Sequence, residues 1–464
     1  MIRSTTGAPA QSNSFKIMAL TSAVLAFAVM NGTMFNVAIP DIAEDFNLQP
    51  SQVSWVITSF TTLFAIGTLI YGKLADLYSI RTLYTISLLL FSAGSFIGFL
   101  SPNFETLIAA RALQAMGAAA VPPLSFLVPL RFFPDSKGRL FGFLASTIAF
   151  SSGIGPIIGG TVGSLLDWRY IFLLSTASIL AIPFFRKWFP AESAKHGKID
   201  YSGALYVGTA VTSLLFAITS TSLTAFLLFA VFLFILIRHS AKTTDPFIDP
   251  RMLKIKPYSV TLSVSYLGNV IVYGLIFLLP IMLRDLYDLS MMQIGWVLFP
   301  GAIASGLIGR WVGTVIGKRG GRPIVNYGLL LISAGALLIS CFAASGPSLI
   351  AFGLFLAYLG FPLIQSGSAD LVTSHLSERQ SGVGMGLFNL MSFLAGAFSS
   401  AVFGTVLESG HDSIRLNPLV LTSDATIYSN IFFTFTIIGL VAFAFFHRFY
   451  PTPPAKTRPA SGKR

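Results

Sequence analysis

The residues able to do chemistry in this chain are few. Arg111, in "AARALQAMGAA", sits about one-third of the way along an apolar run, with no acid adjacent in sequence. The five histidines, His196, His239, His375, His411 and His447, fall in loops or at helix ends. No group of His, Cys, Asp and Glu has metal-ligand spacing. One cysteine, Cys341, excludes a disulfide framework and a CxxC redox centre. All 18 acids lie in loops or near helix ends, the innermost being Glu105 and Asp370. No catalytic site, metal or cofactor is therefore expected. One cation and a set of neutral polar groups inside apolar runs suit the binding and passage of a molecule, since burying such groups is costly and usually functional.

The elements that must position these residues are membrane helices. The chain has 464 residues, of which 54% are hydrophobic and 10% charged, against about 25% charged in soluble domains. A spanning helix needs about 20 mostly apolar residues. Six segments qualify or nearly so in the first part of the chain: 15–38, 52–71, 82–100, 106–130, 140–165 and 170–185. Two more follow at 201–219 and 223–237. A further six lie at 260–283, 294–316, 324–342, 349–371, 383–407 and 427–446. The first is too long for a signal-peptide core and lacks a cleavage pattern, so it is expected to be retained.

Charge fixes the orientation. With the N-terminus cytoplasmic, the outer loops hold only Arg169, Arg284 and Arg415. Apart from Arg111, every other one of the 30 Lys and Arg residues falls inside. The positive-inside rule thus predicts fourteen helices with both termini in the cytoplasm. The net charge of +12 is a consequence of topology, and no nucleic-acid partner is expected.

The chain repeats at an offset of 241–244 residues. "VSWV" around Trp55 returns as "IGWV" around Trp296, and "GKLAD" from Gly72 returns as "GTVIG" from Gly313. Gly142 followed by "GTV" at Gly160 returns as Gly386 followed by "GTV" at Gly404. Two parallel six-helix halves follow from this. The expected divisions are a cytoplasmic tail over 1–14, an N-terminal bundle over 15–189 and an inserted helix pair with linkers over 190–258. A C-terminal bundle over 259–448 and a basic cytoplasmic tail over 449–464 complete the chain. The inserted pair is uncharged and suits a lipid-facing or bracing role.

Three stretches carry the functional signal. "GKLADLYSIR", Gly72 to Arg81, joins helices 2 and 3; its glycine permits close helix approach, and Asp76 can accept hydrogen bonds from the N-terminus of a neighbouring helix. Arg111 must pair with acceptors, either backbone carbonyls or Asn31 and Asn36 of helix 1. "FSSGIGPIIGG", Phe150 to Gly160, gathers four glycines, a proline and two serines inside helix 5, where glycine and proline would weaken a soluble helix by about 1 and 3 kcal/mol.

Together the "GxxxD" turn, the intramembrane arginine and "GIGPIIGG" in the fifth helix of a six-helix repeat resemble the major facilitator superfamily. The likeness implies an all-α integral membrane fold of two six-helix bundles plus the inserted pair. It also implies that Gly155, Pro156, Gly159 and Gly160 let helix 5 pack against the other half, with a kink at Pro156. "NVAIPDIAEDFN", "SWVITSFTTLFAIGTLIYGKLAD", "ARALQAMGAAA" and "DPFIDP" look like the 14-helix tetracycline exporters of the drug:proton antiporter group. This resemblance covers about Asn31 to Phe446 and implies proton-driven efflux of a small drug.

The departures narrow the substrate. Where those exporters carry acids in helices 1, 5 and 13, this chain has Gly32, Ser152, and Ala395 or Gly396. The antibiotic exporters that handle uncharged phenicols (chloramphenicol and florfenicol) are the better comparison. In the second repeat Gly317 replaces the counterpart of Asp76; Arg310 nearby is expected to snorkel, with Asp370 as its partner or a proton carrier. The expected substrate cavity comprises Asn31, Asn36, Arg111, Gln114, Phe150, Ser151, Ser152, Asn269, Tyr273, Gln365 and Asn389. Proton coupling or gating falls to Asp76, Arg81, Arg111, Asp370 and the helix 5 glycines. The expected partners are a small-molecule drug, protons and the lipid bilayer, for a monomer in a bacterial inner membrane. Tetracycline or broad multidrug efflux, a metabolite or lipid transporter of the same fold, and a sensor without turnover are the alternatives.

Overall fold

The computed structural model describes residues 11–48, 53, 55–190, 192, 200–220, 222–243, 246–289, 291–408, 415–419 and 425–450. Among these residues there is no strand. Among the described residues thirteen helices are long and apolar enough to cross a membrane, and a bent pair makes a fourteenth. The protein is an all-α, multi-pass membrane protein.

The first six spans are Phe15–Phe35, Trp55–Leu77, Ile80–Phe99, Phe104–Phe132, Pro134–Gly163 and Arg169–Trp188. Spans 7 and 8 are Tyr201–Ile218 and Leu223–Lys242, and span 9 is Lys256–Tyr287. Span 10 joins Gln293–Gly309 to Trp311–Arg319 across a 42° bend. Spans 11 to 14 are Gly321–Cys341, Pro347–Ser374, Gln380–Leu407 and Thr426–Phe449.

Local sequence explains the starts and interruptions. Ser79 and Asn103 stand at the N-caps of spans 3 and 4 and accept from the backbone N–H groups of Thr82 and Thr106, satisfying donors that the helix leaves open. Span 4 is interrupted between Ala118 and Val121. Pro122 and Pro123 follow that break and have no N–H with which to carry the ladder backward. Span 6 tightens to a 3₁₀ turn over Ala177–Ala181 just before Pro183. The helix Lys137–Leu165, by contrast, runs through Pro156 without a break, and the bend above 40° lies in span 10 at Arg310.

Spans 1 and 5, spans 3 and 4, and span 11 with each of spans 12 and 14 pack within the halves; spans 5 and 10 and spans 2 and 13 pack across them. Span 7 rests on spans 2 and 13 and buries Val207, Val211 and Leu215. Span 8 turns Leu223, Phe226, Leu227 and Phe234 outward, as suits lipid contact.

Candidate functional site

Arg111 is 1% exposed. Its Nε donates to the carbonyl of Val56 on span 2 at 3.1 Å. Its Nη1 donates to Asn31 Oδ1 on span 1 at 3.2 Å and to Gln114 Oε1 on its own helix at 2.6 Å. The rings of Phe35 and Phe60 cover the guanidinium, 4.2 and 4.1 Å from its carbon, an arrangement that stabilises a desolvated cation. A second tier of bonds holds the partners. Asn31 Nδ2 donates to Ser175 Oγ on span 6 and Gln114 Nε2 to Ser95 Oγ on span 3, both at 2.8 Å. One cation therefore ties spans 1, 2, 3, 4 and 6 together, and among the described residues no carboxylate pairs with it.

The other half holds a smaller, uncharged cluster. Gln365 Nε2 on span 12 donates to Asn269 Oδ1 on span 9 at 3.2 Å, and Asn269 Nδ2 donates to Ser392 Oγ on span 13 at 3.1 Å. Asn389 bonds back to Met385 of its own helix. Tyr273 packs its ring edge-on to Phe361. Of the residues expected to outline one pocket, Asn31, Arg111 and Gln114 join one network in the N-terminal half, and Asn269 and Gln365 join a second in the other half. Arg111 is enclosed by its aromatic neighbours rather than open to a cavity. The side chains of Asn36 and Arg310 lie outside the described residues. An apolar cavity of about 590 Å³ lies between spans 7 and 8 and spans 9 and 13; Tyr266, Met391 and Phe398 line it, and none of the expected binding residues does.

Span 5 shows where the glycines act. A Cβ at Gly155 would meet Thr33 and Met30, and one at Gly159 would meet Met34, all on span 1. These two glycines pack within the N-terminal half, whereas packing across the halves was expected. The residues that do cross are Gly138 and Gly142, where a Cβ would meet Ile316 and the backbone of Gly309 and Gly313 on span 10, and Gly153, facing Ala302. Gly160 has nothing within 4 Å. Ser151 is buried, Ser152 donates to its own helix at the Ile148 carbonyl, and Phe150 lies over Gly306 of span 10.

At the basic end the halves meet through Asp76. Its Oδ1 accepts from the backbone N–H of Gly382, the fifth residue of the helix Glu378–Glu408 that forms span 13, at 3.1 Å. The carboxylate thus lies near the N-terminal, positive end of that helix. Arg131 lies 3.8 Å from the same carboxylate. It also donates to the Ala75 carbonyl and pairs with Glu192 at 3.4 Å, while Glu192 accepts from the Ile80 N–H. Arg81, expected in this turn, makes no side-chain hydrogen bond or ion pair among the described residues; Arg131 supplies the cation instead. Asp370 does not partner Arg310 in any described contact. Its Oδ1 pairs with Lys137 Nζ at 3.1 Å and its Oδ2 accepts from the Gly321 N–H at 3.0 Å. Arg131, Glu192, Lys137 and Gly382 were thus missed as site residues. The repeat carried one usable signal, since Gly382 stands to Gly386 as Gly138 stands to Gly142.

Comparison with known proteins agrees with this architecture. The family profile for the Major Facilitator Superfamily matches residues 21–400. The chain belongs to the major facilitator superfamily. It is similar to the riboflavin transporter RibZ of Clostridioides difficile, 27% identical over 91% of this chain and 95% of that one. It is also similar to the multidrug resistance protein Stp of Mycobacterium tuberculosis, 24% identical over 82% of this chain and 73% of that one. The human organic anion transporter MFSD10 (TETRAN) shares the fold, with a TM-score of 0.69 and 16% identity over 93% of this chain and 99% of that one. As a facilitator-superfamily member the protein is a transporter, not an enzyme.

Proposed function

We propose that this facilitator-superfamily member exports a small hydrophobic antibiotic, neutral or anionic and phenicol-like, in exchange for protons. The reading places it as a monomer in a bacterial inner membrane, with both termini cytoplasmic. One observation carries the substrate class: the cation Arg111 is held entirely by neutral acceptors and aromatic rings. At 8 Å and an effective dielectric of 20, such a charge repels a cationic drug by about 2 kcal/mol. It imposes no such penalty on a neutral molecule and favours an anion.

The proton is assigned to an acid at the basic end, Asp76 or Asp370. Asp76 is buried, and its Oδ2 has no hydrogen-bond partner, which leaves an oxygen free to take a proton. Likeness to Stp supports drug efflux in general, with tetracycline or multidrug transport as the alternative. Likeness to RibZ favours a second reading, transport of a metabolite.

A susceptibility panel in a pump-deleted host tests the proposal. Expression should raise chloramphenicol or florfenicol tolerance and leave tetracycline and ethidium tolerance little changed. A rise for tetracycline alone defeats the pocket reading, and riboflavin movement with no drug tolerance favours the metabolite.

A further inference from the structure

Two of the contacts that join the halves are glycine seams, and the sequence repeat relates them. In the first, a Cβ on Gly72 of span 2 would meet Gly382 and Gly386 of span 13. In the second, Gly313 of span 10 lies against Arg139 of span 5, one turn from the contact of Gly142 with Gly309. Gly313 corresponds to Gly72, and Gly138 and Gly142 correspond to Gly382 and Gly386.

The acids break this symmetry. Four residues after Gly72 comes Asp76, which fastens the first seam at Gly382. Four residues after Gly313 comes Gly317, and a Cβ there meets nothing within 4 Å. The second seam therefore has space but no side chain where its fastening carboxylate would stand.

A carboxylate reaches span 5 from elsewhere. Asp370, 7% exposed on span 12, pairs at 3.1 Å with Lys137, the first residue of the span 5 helix. Its other oxygen accepts from Gly321 at the first turn of span 11, which fixes the carboxylate. One turn earlier on span 12, Ser366 donates to the carbonyl of Phe141 on span 5 at 3.3 Å. We propose that Lys137–Asp370 is the second latch of the basic end and replaces the acid missing at position 317. The two latches differ in chemistry. Asp76 holds a backbone N–H near the start of a helix, whereas Asp370 holds an ammonium group and must release it to water when the halves part.

The test needs no substrate, so its failure is distinct from failure of the proposed drug specificity. Cys341→Ser removes the sole cysteine, and Ser146→Cys places a thiol in the span 5–span 10 seam, where Ser146 is buried against Gly309. This reporter lies about 13 Å into the helix from Lys137, at ~1.5 Å per residue. Protein in nanodiscs is treated with a soluble maleimide. Asp370→Asn, which keeps an acceptor for the Gly321 N–H, should raise the labelling rate about tenfold, the scale of one charge-assisted hydrogen bond. Lys137→Met should raise it similarly, and the double variant no further, because both remove one interaction. Adding Gly317→Asp to Asp370→Asn should return the rate toward that of the parent. An unchanged rate in Asp370→Asn overturns the latch. A rate that stays high after Gly317→Asp overturns the replacement.

Discussion

Asp76 and Gly382 lie 306 residues apart in sequence, in opposite halves of the repeat, and are joined by a 3.1 Å hydrogen bond. Around that bond the backbones of spans 2 and 13 approach so closely that a Cβ on Gly72 would collide with the carbonyl of Gly382. Gly72→Val should therefore part the seam. Overpacking of this kind typically costs about 1–3 kcal/mol, and here it falls on the state with the basic end closed. Transport should drop strongly while the detergent-purified protein remains monodisperse. Wild-type transport in Gly72→Val would remove the seam from the cycle.

Arg111→Ala should abolish transport and also lower stability. It leaves Asn31, Gln114 and the Val56 carbonyl without their donor, at about 1–3 kcal/mol for each buried unsatisfied group. A fall in thermal-unfolding midpoint together with lost efflux is expected. Lysine should rescue poorly, since a single ammonium cannot reproduce donors from Nε and Nη1 while filling the slot between Phe35 and Phe60. Full efflux by the alanine variant would contradict the role of this cation.

Gly142→Leu and Gly159→Leu should separate two functions of span 5. The first meets span 10 of the other half and the second meets Met34 of the same half. Gly142→Leu should slow transport with little loss of thermal stability, and Gly159→Leu should mainly destabilise. Pro156→Ala should be mild, because the helix is unbroken there. Reversal of the two leucine phenotypes, in paired transport and unfolding assays, would refute this division.

Gly32→Glu tests the electrostatic basis of specificity. Gly32 follows Asn31, the partner of Arg111, and a Cβ there meets nothing within 4 Å, so a longer side chain can enter. The new carboxylate should offset the charge of Arg111, raising ethidium or tetracycline tolerance relative to florfenicol. Unaltered selectivity in a well-expressed variant would argue against charge as the discriminator.

At the opposite end from Asp76, Asp45 accepts from Trp168 Nε1 at 2.9 Å and from Arg169 at 2.8 Å. Chiefly the Trp168 bond, then the bond to Arg169, holds its carboxyl below the usual range. Because the folded form has the lower pKa, its stabilising contribution is complete above the unfolded value, about pH 4. That contribution is lost as pH falls through the folded value. Thermal midpoints of wild type and Asp45→Asn should differ at pH 6 and converge below about pH 4. A gap that widens in acid would reverse the sign.

The membrane fold was legible because hydropathy alone marks spans of about 20 residues, and the acids and lysines at their ends were visible as charges. Asn31 was legible as a partner of Arg111 because a buried cation must find acceptors. The aromatic slot of Phe35 and Phe60 was not, since phenylalanine in an apolar run carries no positional signal. The orientation of Gly155 and Gly159 was hidden for a similar reason: a small residue shows that something comes close, without showing which helix. Lys137 and Arg131 looked like ordinary positive-inside charges. Only the packing of spans 5 and 12 and of spans 2 and 4 turns them into partners of Asp370 and Asp76.

Drug accumulation in inverted membrane vesicles tests the central claim most directly. With the lumen acidified, radiolabelled florfenicol should accumulate, and a protonophore should release it. Labelled tetracycline, supplied with Mg²⁺ as its cationic chelate, should stay near the level of vesicles lacking the protein. Proton-driven accumulation of the cationic tetracycline chelate without florfenicol would contradict the account, because the buried charge of Arg111, unopposed by any described carboxylate, should disfavour a cation in the same half of the protein.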